Sequence, residues 1–288
     1  MFSGSIVALV TPFRKGEVDF DKLDELVEMH VKAGTDAILP CGTTGESPTL
    51  SHDEHDAVIE RVVKTARKRI PVIAGTGSNS TAEALRLTRH AEGAGADASL
   101  QVCPYYNKPT QEGLYQHFKT IAEAVHIPIV LYNIPGRTGR NIDVDTMVRL
   151  AKIQNIVGVK EAAGSTDQVT EIVTRTRLTV LSGDDSMTLP FMSVGAKGVI
   201  SVLANIVPKD VKAMVDAFAK GKLARAQELN AKLYPLSKAM FLETNPGPIK
   251  AAMHMMGMID PDMRLPMVLP GEAVEAKIRK ALEDYGLL

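Results

Sequence analysis

The chain has 288 residues, 45% of them hydrophobic and 23% charged, with a formal net charge of -1 at pH 7. That length and balance suit one large globular α/β domain, and the near-neutral charge argues against nucleic-acid or membrane-surface binding, which needs a basic excess. Two cysteines, Cys41 and Cys103, are too few for a disulfide framework, and no apolar run approaches the roughly 20 residues that span a bilayer.

The opening, MFSGSIVALVTPF, lacks a basic n-region and reads as a first strand, not a signal peptide. A reduced, untargeted chain of this kind is expected in the cytoplasm, where the sequon Asn79-Ser80-Thr81 is a chance match. Eight short apolar runs then follow: 5–11, 36–41, 71–75, 98–103, 128–133, 156–162, 179–183 and 198–202. Each is too short for a helix, rich in Val and Ile, and apolar on both faces, as strands of a buried parallel sheet are. Amphipathic stretches lie between them, for example Phe20, Leu23, Leu26, Val27, Met29 and Val31 on one helical face. Capping-box patterns open three of these stretches: Ser51 with Glu54, Ser80 with Glu83, and Ser165 with Gln168.

Eight strands, each followed by a helix, predict a TIM (β/α)8 barrel. An open doubly wound sheet has the same alternation, because strand order is invisible in a sequence. After about residue 205 the apolar runs stop and only helical periods remain. The barrel is therefore expected to end between residues 205 and 225, with a C-terminal helical region from there to 288.

Active sites of parallel barrels sit at the C-terminal ends of the strands. The second run is followed by Gly42-Thr43-Thr44-Gly45-Glu46, the fourth by Pro104-Tyr105-Tyr106-Asn107, the fifth ends in Tyr132-Asn133 and leads into Ile134-Pro135-Gly136-Arg137, and the sixth ends in Val159-Lys160-Glu161-Ala162. Lys160 lies among Val157, Val159, Ala162 and Ala163, where desolvation would disfavour its ammonium and expose a neutral amine. On position alone, a lysine that snorkels outward or pairs with Glu161 fits as well. Tyr132 has the phenol of a proton shuttle or of a core aromatic. The threonine turn offers hydroxyls and backbone N–H groups to a carboxylate, or is a plain loop. Arg137 is a carboxylate clamp or a solvated loop arginine.

Taken together, GSIVALVTPF, GTTGES, PVIAGTGS, PYYNKPTQEGLYQHFK, YNIPGRTG, GVKEA, LSGDDS, KGVISV and RLPM resemble the dihydrodipicolinate synthase branch of the pyruvate aldolases related to N-acetylneuraminate lyase. The resemblance covers essentially the whole chain. It implies condensation of pyruvate with L-aspartate 4-semialdehyde to 4-hydroxy-tetrahydrodipicolinate, the committed step of diaminopimelate and lysine biosynthesis. It makes Lys160 the Schiff-base lysine, with Tyr132, Thr43 and Tyr106 as a proton relay, Tyr106 reaching into a neighbouring subunit. Thr43 and Thr44 hold the pyruvate carboxylate, and Ile200 lies at the pyruvate pocket. Arg137 binds the aldehyde's carboxylate, which sets this branch apart from the sugar-acid lyases, as does GTTGE in place of their serine-containing version. No metal or organic cofactor is required. Tyr106 and the regulatory site, shared between subunits in the family, imply at least a dimer, and a homotetramer built as a dimer of dimers is typical of these relatives.

Ser47, His52, His55, Asn79, Glu83 and Tyr105 match the family's site for feedback inhibition by lysine, although Pro48 stands where lysine-sensitive members usually have alanine. Without the resemblance, His52 and His55 are a solvated helix start lacking further metal ligands, and Glu83 is a capping residue. Gly75-Thr76-Gly77 lacks the third glycine of a dinucleotide fingerprint, and Met253, Met255, Met256 and Met258 read as core packing. The remaining alternatives are a lyase acting on a sugar acid and a non-catalytic barrel that senses a keto acid.

Overall fold

The computed structural model describes residues 2–288. Every one of the eight apolar runs contains a strand: β1 (Gly4–Ala8), β2 (Ala37–Leu39), β3 (Ile73–Gly75), β4 (Ala98–Val102), β5 (Ile129–Asn133), β6 (Ile156–Glu161), β7 (Thr179–Ser182) and β8 (Gly198–Ser201). The second run is trimmed before Pro40, which has no N–H to donate to a ladder.

The hydrogen-bonded order is β2-β1-β8-β7-β6-β5-β4-β3, all parallel. First and last strands therefore pair, from Gly4 opposite Gly198 to Val7 opposite Ser201. The remaining seam between β2 and β3 is closed by a parallel bridge, Ile38 opposite Val72. There the Ile38 N–H donates to Pro71 at 2.9 Å, and the Gly75 N–H to Pro40 at 3.0 Å. An open doubly wound sheet has no such closure, so the chain forms a (β/α)8 barrel.

Around it, among the described residues, lie α1 (Phe20–Ala33), α2 (His52–Ala66), α3 (Thr81–Gly93), α4 (Gln111–Glu123), α5 (Val144–Leu150), α6 (Thr166–Arg175), α7 (Thr188–Ser193) and α8 (Pro208–Ala219), with a one-turn helix, Pro135–Thr138, ahead of α5. Alternate strand residues explain why the runs are apolar throughout. Ile6, Leu39, Ile73, Leu100, Val130, Leu181 and Ile200 fill the barrel interior. Val7, Ile38, Leu131, Val159, Val180 and Val199 join the layer packed under the helices. Each such side chain contributes about 1.5–3 kcal/mol by leaving water.

All three predicted caps form, since the Ser51, Ser80 and Ser165 hydroxyls accept the N–H three residues on. Only Ser51 completes the reciprocal box, with the Glu54 carboxylate returning to its N–H at 2.8 Å. Glu83 and Gln168 turn their side chains to other partners instead. A hairpin, Phe13–Arg14 against Glu17–Val18, escapes the sequence reading because two-residue strands have no period. Lys15 and Gly16 at its tip both have positive φ, as a tight hairpin turn requires.

Three further helices follow: α9 (Leu223–Ala239), α10 (Gly247–Met255) and α11 (Glu272–Tyr285). We set the division between barrel and appendage at the turn 220–222. Met253 is fully buried, and Met255, Met256 and Met258 pack against the main core. No helix among the described residues is long and apolar enough to cross a membrane.

Gly198 sits at the closing seam with φ of 147°, and a Cβ there would lie 2.0 Å from the Gly4 carbonyl oxygen. Gly198→Ala is expected to lower stability by about 3 kcal/mol or more, read as a drop in the urea midpoint with an unchanged slope.

Candidate active site

Strand pairing brings the principal residues together. Tyr132 on β5 is the register partner of Lys160 on β6, so both side chains point into the barrel at the same level. The Lys160 Nζ lies 4.2 Å from the centroid of the Tyr132 ring. Both are nearly closed to solvent, at 6% and 5% exposure. Gly183, just beyond β7, makes room for the lysine stem, since a Cβ there would stand 3.1 Å from Lys160 Cε.

Burial lowers the Lys160 pKa from its usual 10.5 to about 8; the Asp185 carboxylate opposes this fall and the Arg137 guanidinium assists it. The shift corresponds to roughly 3 kcal/mol of lost preference for the ammonium. Burial acts on Tyr132 in the opposite sense and pushes its phenol up to about 12, with Arg137 and Thr43 pulling the other way. The pair is thus an amine poised to be neutral beside a phenol that keeps its proton, which is what addition to a carbonyl followed by loss of water needs.

A cavity of about 210 Å³ opens beside Tyr132, lined by Thr43, Tyr132, Ile134, Arg137 and Thr138 together with Ser47, Pro48 and Tyr105; Lys160 itself is not among its lining residues. The Thr44 side chain is buried and accepts a hydrogen bond from Asn245 Nδ2 at 3.0 Å. Arg137 donates to the Asn245 carbonyl at 3.0 Å. Ile200 is fully buried in the inner core that also contains Tyr132. Tyr106 stands apart: it is 90% exposed, does not line the cavity, and has φ of 71°, a left-handed conformation rare for an aromatic residue. Within one chain, then, Tyr132 and Thr43 are assembled without Tyr106.

Glu161 does not pair with Lys160. Its buried carboxylate accepts from Asn133 Nδ2 at 3.1 Å, from the Ala163 N–H at 2.7 Å and from Gln168 Nε2 at 3.1 Å. Side chains alternate along a strand, so these neighbours in sequence face opposite sides of the barrel wall.

Of the regulatory candidates, Ser47 and Tyr105 line the cavity, and hydrogen bonds join two pairs within the set. His52 Nε2 lies 2.8 Å from Glu83, whose other oxygen takes the Ser78 hydroxyl, and Asn79 donates to the Tyr105 carbonyl at 3.1 Å. His55 is buried, with Nε2 held 2.9 Å from the Gly75 carbonyl, and shares no hydrogen bond with His52 or Glu83.

Sequence reasoning missed Asp185, Asn245 and Ser78. Asp185 is buried, accepting from Ser201 Oγ at 2.5 Å and from the Val202 and Leu203 N–H groups at 2.9 and 3.0 Å. Its only sequence signal was the LSGDDS motif. Asn245 had none, because it belongs to the appendage and not to a strand end.

The chain matches the model of the Dihydrodipicolinate synthetase family over residues 1–285. It belongs to that family. It is 55% identical to the 4-hydroxy-tetrahydrodipicolinate synthase of Syntrophus aciditrophicus (strain SB) over 293 aligned positions, covering 100% of both chains. The fold superposes on the dihydrodipicolinate synthase of Acinetobacter baumannii complexed with pyruvate, with a TM-score of 0.98, 48% identity and 100% of both chains covered. A second solved structure, dihydrodipicolinate synthase from Cyanidioschyzon merolae with lysine bound, gives a TM-score of 0.97 and 40% identity, covering 100% of this chain and 99% of that one.

An amine reacts when unprotonated, so modification of Lys160 should rise as pH is raised and be half-maximal near 8. Competitive labelling with trace acetic anhydride, read by peptide mass spectrometry, should find exposed lysines titrating near about 10.4 instead. A Lys160 midpoint with theirs would show that its amine is solvated.

Proposed function

We propose that this chain is a 4-hydroxy-tetrahydrodipicolinate synthase that condenses pyruvate with L-aspartate 4-semialdehyde through an imine on Lys160. One observation carries the assignment of roles: a buried primary amine at a strand end, in register with and close to a buried phenol that lines a cavity edged by Thr43, Thr138 and the Arg137 guanidinium. The full-length similarity to synthases supports the choice of substrates.

In this mechanism the neutral Lys160 amine adds to the pyruvate carbonyl, and Tyr132 passes a proton to the oxygen that leaves as water. Thr43 stands next to the phenol and hands the proton on. The imine withdraws electrons from the methyl carbon, which loses a proton to give an enamine. That carbon attacks the aldehyde of the second substrate. The substrate's own amine then displaces Lys160 from the imine carbon, closing the ring and freeing the lysine. Thr43 and Thr44 take the pyruvate carboxylate, Ile200 packs beside it, and Arg137 pairs the carboxylate of the semialdehyde, which would otherwise be desolvated without a partner.

Tyr106, strained and exposed, is read as entering the site of a neighbouring subunit and completing its relay. That role requires at least a dimer, and a tetramer of two such dimers is the assembly we favour. Lysine is read as a feedback inhibitor at Ser47, His52, His55, Asn79, Glu83 and Tyr105, of which Ser47 and Tyr105 line the cavity. The enzyme is assigned to the cytoplasm as a biosynthetic catalyst.

Borohydride in the presence of pyruvate should add one reduced pyruvate unit to Lys160, and Lys160→Ala should abolish the adduct. Absence of a mass increase in the wild-type chain would reject the imine. Tyr132→Phe should lower kcat by about 100-fold or more, the usual size of a proton-transfer contribution. Arg137→Ala should raise KM for the semialdehyde by about 30-fold, from roughly 2 kcal/mol of lost charge-assisted hydrogen bonding, while leaving pyruvate trapping intact.

A further inference from the structure

The turn 42–46, which carries Thr43 and Thr44, is an unfavourable shape for the backbone. Cys41 and Glu46 at its two ends both have positive φ, 54° and 52°. Neither is a glycine, so each needs outside support to persist there. Bonds from the Gly45 and Ser47 N–H groups to the Gly42 carbonyl, at 3.1 and 3.3 Å, close the turn on itself. The Thr11 hydroxyl donates to the Gly45 carbonyl at 2.7 Å.

The rest of the support comes from the far end of the chain. Lys250, fully buried on α10, places Nζ 2.6 Å from Glu46 Oε1. The same ammonium donates to the Thr11 carbonyl at 3.1 Å and lies 4.4 Å from the Phe13 ring centroid. The second Glu46 oxygen accepts the Arg264 N–H at 3.3 Å. With Asn245 bonded to the Thr44 hydroxyl, the C-terminal region grips the turn at two of its five residues.

A fully buried ion pair is a poor means of gaining stability, because apolar residues of the same volume do as well or better. What it does impose is direction, since both charges must be met at fixed positions. We propose that Lys250 is a positioning residue for the condensation: through Glu46 it holds the turn 42–46 in the shape that offers Thr43 and Thr44 to the pyruvate carboxylate. This role rests on the Lys160–pyruvate imine described above.

Full-length wild-type chain, Glu46→Asp, and the double substitution Glu46→Gln with Lys250→Met provide the test. The double variant leaves no unpaired buried charge, and Glu46→Asp keeps both charges while shortening the link by one methylene. Each is titrated with pyruvate under borohydride, the adduct on Lys160 is quantified by mass, and the melting temperature is recorded alongside. The double variant should need about tenfold more pyruvate for half-maximal trapping, and Glu46→Asp at least about threefold more, as displaced carboxylate-binding groups would require. Melting temperatures should remain within a few degrees of wild type. Wild-type half-saturation in Glu46→Asp, or in a folded double variant, overturns the positioning role while leaving the imine intact. No adduct in the wild-type chain rejects the imine itself, and the role with it.

Discussion

Desolvation of one amine organises the mouth of this barrel. Lys160 ends a strand in a place nearly closed to water, and the resulting cost to its ammonium is what the proposed imine chemistry would draw on. The surroundings are balanced around that cost. An ion pair with Glu161 would have cancelled it, and strand alternation points that carboxylate into the helical layer, where Asn133, Gln168 and a backbone N–H satisfy it. Asp185 is the one carboxylate that pulls the lysine back toward its charged form. It is itself committed to Ser201 and two backbone N–H groups, so its influence acts through the field and not through a bond to the amine.

Barrel closure is what permits this burial. The β1–β8 pairing and the β2–β3 seam enclose an interior filled by Ile6, Leu39, Leu100, Val130, Leu181 and Ile200. Tyr132 belongs to that same cluster and Lys160 is in register with Leu181, so apolar side chains beside them exclude water. The threonine turn and the one-turn helix Pro135–Thr138, which carries Arg137, supply polar groups from the other side, where a small anionic substrate would be met. The appendage adds a third wall: Asn245 reaches both Thr44 and Arg137, and joins two groups that no strand pairing connects.

Most of the architecture was legible in sequence. Apolar runs of the right length and helical stretches with serine caps identified every barrel strand, because burial on both faces leaves a continuous signal. The alternation stopped short of a topology, since barrel and open sheet differ only in which strands pair. The hairpin at Phe13–Val18 was too short to show a period. Of the site, Lys160, Tyr132, Thr43, Thr44 and Arg137 stood out because they end strands or follow them directly. Asp185, Asn245 and Lys250 did not: a buried aspartate, an asparagine between helices and a lysine in a short helix each look ordinary until their partners are known.

What the sequence by itself determined is the set of local elements and the reactive side chains at their ends, because propensity, period and capping act over a few residues. Family membership was likewise readable from its strand-end motifs. Only the tertiary structure decided that β1 pairs with β8, that Lys160 faces Tyr132 while Glu161 faces away, and that α10 delivers Lys250 to Glu46 across 204 residues of chain. Those outcomes depend on how distant segments share a low-dielectric interior. There a polar group must find a partner wherever the chain can supply one, and local sequence carries no record of which partner that is.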